Sequence, residues 1–69
     1  MSKSRFFQYA VLWHPTEKQE KEGEQTRILV DITTVLAVDA NTVMLMAAMA
    51  IPPEYKTQLN QVEIALRPF

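Results

Sequence analysis

From Arg5 to Trp13 the chain reads RFFQYAVLW, and apolar residues fall on both parities of that run. Phe7, Tyr9, Val11 and Trp13 share one face of an extended segment, and Phe6, Gln8, Ala10 and Leu12 share the other. Aromatic and β-branched residues favour strands. A strand that is apolar on both faces belongs in the middle of a sheet. The next apolar run, TRILVDIT from Thr26 to Thr33, alternates. Alternation predicts a strand with Ile28, Val30 and Ile32 on one buried face and Arg27, Leu29, Asp31 and Thr33 on the other. The last run, QVEIALRPF from Gln61 to Phe69, alternates too. It predicts a third strand with Val62, Ile64 and Leu66 toward the core, ended by Pro68.

Between the second and third strands the period changes. DANTVMLMAAMAIPPEY is rich in alanine, methionine and leucine, which are good helix formers. Asp39 is placed as the N-cap, because its carboxylate can accept from free amides of the first turn. Pro52 and Pro53 stop the helix, since a residue before proline is pushed out of helical geometry. The helix is therefore expected from about Ala40 to about Ile51, with PEYKTQLN adding a short turn before the last strand. The order β-β-α-β gives an α+β fold: one small domain over residues 1–69, a three-stranded sheet with one helix packed on a face. The first strand is expected between the other two and antiparallel to both, which accounts for its two apolar faces.

His14 to Gln25, HPTEKQEKEGEQ, is almost wholly polar. Pro15 withholds a backbone donor and ends the first strand. The segment 14–25 is expected to be a polar, mobile loop.

The helix poses a problem of coverage. Val43 to Ile51 contains no polar side chain. A helix lying on a sheet needs one apolar stripe, and Val43, Met46, Ala47 and Ala50 are expected to supply it. Met44, Ala48 and Ile51 then lie partly outside the stripe, with Leu45 and Met49 at its other margin. The second face of the sheet raises the same question, because Phe6, Ala10, Leu12, Leu29 and Ala65 point away from the helix. Uncovered apolar surface of this kind marks an interface. Phe6, Leu12, Met44 and Met49 are accordingly the candidate interface residues, and the partner is a protein: a second copy or a different chain. The competing expectation is that Pro53 to Asn60 folds back over the gap.

Size strengthens the case for a partner. A chain of 69 residues buries only roughly 60% of its unfolded surface. Small domains are usually supported by disulfides, metal or oligomerisation. There are no cysteines and only one histidine, His14. That excludes disulfides and thiolate metal sites, so no metal and no cofactor is expected and homo-oligomerisation or a larger assembly is.

The formal charge of −1, from seven basic and eight acidic residues, offers no basic patch for nucleic acid. The Trp13, Tyr9 and Phe7 stripe is then core packing rather than a base-stacking platform. Nine apolar residues fall far short of the roughly 20 needed to span a bilayer, so no membrane role is expected. No secretory leader is read in MSKSRFFQYAVLW. Gly23 is the sole glycine, which leaves no phosphate-cradling loop. His14 with Glu17 is the one acid–base pair that suggests itself, at the end of a strand beside a proline. No catalytic constellation emerges, and the chain is expected not to be an enzyme.

YAVLWHP near the start, IPPEY after the helix and the terminal QVEIALRPF together resemble short uncharacterised proteins encoded by tailed bacteriophages. The resemblance spans most of the chain, with the charged loop as its variable part. It implies a phage or prophage context and no catalytic residues. It points to a virion accessory protein binding capsid or tail proteins, or else to an inhibitor or modulator of a host protein. The corresponding location is the virion or the host cytoplasm.

Overall fold

The computed structural model describes residues 3–69. The elements run β1 (Arg5–Trp13), α1 (Glu17–Lys21), β2 (Arg27–Ala37), α2 (Ala40–Met49), a 3-10 segment (Pro53–Gln61) and β3 (Val62–Pro68). The sheet has the order β2-β1-β3, with β1 antiparallel to both neighbours. This is an α+β fold with the doubly apolar strand in the centre.

One face of the sheet carries the core. Phe7, Tyr9, Val11 and Trp13 are all buried on it. From α2, Val43 and Ala47 are buried against them, together with Ala37 and Ile51. Val62, Ile64 and Leu66 of β3 pack around this cluster as expected.

β2 departs from simple alternation. Its pairing with β1 shifts between Tyr9 and Val11, and again between Val11 and Leu12. Each shift inserts an extra residue into β2, which is a β-bulge. Asp31 helps hold the first one: its Oδ1 accepts from the Ile32 amide at 2.7 Å, and its carbonyl accepts from the Thr33 hydroxyl at 2.8 Å. A bulge flips the face on which later residues fall. Ile28, Val30 and Ile32 are therefore split, contrary to the expectation of one buried face. Leu29 and Val30 pack against the core, while Ile28 and Ile32 are 66% and 63% exposed on the opposite side. Leu29, expected on the open side, belongs to the core for the same reason.

The helix begins as expected. Asp39 Oδ1 accepts from both the amide and the hydroxyl of Thr42, each at 2.8 Å. These bonds hold the Asp39 carboxyl below its ordinary pKa, the amide being the larger cause. The helix ends two residues early, at Met49, and its buried stripe is Val43, Ala47 and Ile51 rather than Val43, Met46, Ala47 and Ala50. Positions 43 and 47 stack one turn apart, and the chain turns down after Ala50 so that Ile51 continues the same line. Met46 and Ala50 are left on the exposed side.

The polar segment 14–25 is exposed, but it contains the five-residue helix α1. Thr16 Oγ1 accepts from the Gln19 amide, and the Gln19 side chain accepts from the Thr16 amide, forming a capping box. Gln61 ties α1 to the body through bonds to Gln19 Oε1 at 2.7 Å and to the His14 carbonyl at 3.0 Å. Gly23, at φ 96°, supplies the left-handed residue that lets the chain turn toward β2.

Candidate interaction surfaces

The 3-10 segment settles what covers each side of the sheet. It closes over Trp13 on the core face. Gln58 Oε1 accepts from Trp13 Nε1 at 2.9 Å, and the Tyr55 ring leans on the indole with centroids 6.3 Å apart. Arg27 lies over the indole at 4.8 Å, donates to the Tyr55 hydroxyl and pairs with Glu24 at 2.6 Å. The hydrogen bond to Tyr55, then the Glu24 charge, raise the Arg27 pKa further. The fold-back of Pro53 to Asn60, the competing expectation, thus takes place on the helix side, and the opposite face of the sheet stays bare.

That bare face is built from three strands in register. Phe6 stands beside Leu36, Gln8 beside Thr34 and Arg67, Ala10 beside Ala65, and Leu12 beside Ile28 and Glu63. Phe6 and Leu36 are each 55% exposed, and Phe69 stacks edge-on against Phe6 at 6.2 Å. A polar row crosses the face: Arg67 Nε donates to Gln8 Oε1 at 2.9 Å, and Gln8 Nε2 donates to the Thr34 hydroxyl at 3.4 Å. Beside this row, Ala10 and Ala65 leave a depression of about 280 Å³ walled by Ile32, Gln8 and Arg67.

The second surface is the outside of α2. Met44, Leu45, Met46 and Met49 are 43%, 64%, 39% and 74% exposed. They form an apolar strip without a charged neighbour on the helix. Methionine there can repack against irregular partners.

The four candidate interface residues divide between these surfaces. Phe6 and Leu12 lie on the open sheet face, with Leu12 half-buried; Met44 and Met49 lie on the helix, on the far side of the core. The structure does not bring the two pairs together. Ile28, Ile32 and Leu36 of β2, which the alternation pattern hides, complete the sheet surface.

His14 joins neither surface. Its Nε2 contacts Glu63 Oε1 at 2.6 Å and its Nδ1 meets the Thr26 hydroxyl at 3.3 Å, while Glu17 belongs to α1. The pairing with Glu63 fastens β1 to β3 at the surface. Among the described residues no three His, Asp or Glu side chains form a metal-binding group, and no helix is long and apolar enough to cross a membrane. No family model, curated protein or solved structure matches the chain.

Proposed function

We propose that the chain is a non-enzymatic interaction module that works by docking onto other protein surfaces. In the phage setting implied by the resemblance, it is an accessory protein of the virion that binds capsid or tail proteins. The observation that carries this reading is the outer side of α2, where Met44, Leu45 and Met49 stand exposed while Val43 and Ala47 are the helix residues buried in the core. A helix serving only its own domain places polar residues there. An apolar, adaptable strip instead fits a groove on a larger partner. Its exposure costs the isolated domain solubility, a cost that is removed once the partner covers it.

Mass spectrometry of purified particles from a phage carrying the gene tests the proposal. The chain is expected at a fixed ratio to a capsid or tail protein, and Met49→Lys is expected to remove it from the particle without unfolding it. Early expression with absence from particles would refute the virion role and favour a partner in the host cytoplasm.

A further inference from the structure

The open sheet face has a shape that specifies its occupant. We infer that it pairs with a second copy of itself, forming a two-fold dimer in which two sheets stack face to face and the α2 helices point outward. This inference rests on the reading of the chain as an interaction module and names one of its partners.

Three observations on the face carry it. The first is relief. β2 presents Ile28, Ile32 and Leu36 as a projecting line: Leu36 and Ile32 share the face of Phe6 and Gln8, and the two bulges together return Ile28 to it, having turned Val30 inward. β3 presents Ala65 beside Ala10 as a depression of about 280 Å³. Ile32 of β2 and Ala65 of β3 stand at about the same level along the strands, on opposite sides of Ala10 of β1. A two-fold axis running along β1, midway between the stacked sheets, carries β2 of one copy over β3 of the other. Ile32 then enters the partner's depression, and the partner's Ile32 enters this one. An isologous contact requires this kind of self-complementarity.

The second observation is the polar row Thr34–Gln8–Arg67. Under the same axis it meets the equivalent row of the other copy, Arg67 opposite Thr34, so polar groups face polar groups. A two-fold axis perpendicular to the strands would set this row against Leu12 and Ile28, and Ile32 against Ile32.

The third is extent. Phe6, Ile28, Ile32 and Leu36, each more than half exposed, leave on the order of 400 Å² of apolar surface. Phe69, Leu12 and the polar row bring the face toward the roughly 800 Å² per partner of a standard interface. The strand face of one copy is thus sufficient for a dimer of modest affinity.

Sedimentation equilibrium of the full chain, from micromolar to millimolar, tests the inference, with circular dichroism confirming that each variant folds. The wild type is expected to dimerise. Ile32→Ala leaves the depression unfilled and Ala65→Ile blocks it, so each is expected to weaken the dimer about tenfold or more. The double variant exchanges knob and hole between the strands and is expected to recover most of the lost affinity, a coupling that only direct contact between the two positions produces. Both substitutions are at exposed positions, and a folded Ile32→Lys variant, expected to be monomeric, provides a further control. A wild type that stays monomeric throughout overturns the dimer while leaving the helix surface to its own particle-binding test. A dimer lost in Met49→Lys but kept in Ile32→Lys overturns it as well, by placing self-association on α2. Additive effects in the double variant overturn the proposed axis and with it the knob-and-hole contact.

Discussion

Val43 offers the sharpest test of how the core is built. Its side chain is fully buried, and it shares one cluster with Phe7, Val11 and Ala47. Val43→Ala removes two methyl equivalents from water-free packing, about 1.6 kcal/mol at 0.8 kcal/mol per group. The remaining cavity adds to this, because the surrounding sheet relaxes only partly, so the total is about 2 to 3 kcal/mol. A core of this size supplies only about 3–5 kcal/mol in all. The variant should therefore lose around half its stability and melt roughly 10–20 °C lower. Val43→Asp places an unpaired carboxylate in the same position, costs several kcal/mol and should not fold. Met49→Lys, at a position 74% exposed, should change stability by less than about 0.5 kcal/mol. Urea titration followed by circular dichroism, at a concentration where every variant has the same association state, measures all three. If Val43→Ala and Met49→Lys cost the same, the helix does not divide into an inner and an outer side, and the proposal that α2 docks onto a partner loses its basis.

The Asp39 cap ties stability to acid. Its folded pKa is depressed, so its contribution is complete above the unfolded aspartate value of about 4 and is lost as pH falls through the lower folded value; Asp39→Ala should lower the urea midpoint at neutral pH, Asp39→Asn should lower it less, and neither should show this carboxylate's acid-dependent loss. Gln58→Ala leaves the indole N–H of Trp13, a residue 3% exposed, without its acceptor and should cost about 1–3 kcal/mol, read from the fluorescence of the single tryptophan during unfolding. Thr16→Ala opens the capping box of α1, and trypsin should then cut after Lys18 and Lys21 faster, with no change in the rate of cutting after Lys56.

The sequence made β1 recognisable as the central strand because Phe7, Tyr9 and Val11 alternate with Phe6, Ala10 and Leu12, which leaves no polar face. It made the start of α2 recognisable because Asp39, a side chain able to accept from first-turn amides, stands just before a run of good helix formers. The placements of Phe6, Met44 and Met49 followed from counting which residues a single layer of helix can cover. β2 was misread because a bulge depends on pairing with another strand, and alternation alone does not contain the partner. The Asp31–Ile32–Thr33 run carried a partial signal, since a short acidic side chain can bond its own backbone. α1 had a clear one: Thr16 and Gln19 are spaced as a capping box, masked by the high charge of the segment. The seal over Trp13 by Tyr55, Gln58 and Arg27 joins three distant parts of the chain, and no local pattern announces it.

The strand order also sets a sequence of events in time. β1 and β2 form a hairpin whose end is joined at His14 and Thr26, 12 residues apart. β3 meets β1 across much longer loops, with Gln8 and Arg67 separated by 59 residues. Closing the longer loop costs about 1.4 kcal/mol more chain entropy than closing the shorter one. The hairpin can therefore assemble early, and the arrival of β3 dominates the barrier. Until it arrives, the central strand has one edge of unpaired backbone groups, in the strand that carries Phe7, Tyr9 and Val11. During that interval the most apolar strand of the molecule is open to strands of other chains, and misassembly competes with folding. Substitutions that weaken the β1–β3 contact, such as Ile64→Val, then threaten yield through the lifetime of this half-made sheet more than through the stability of the finished one.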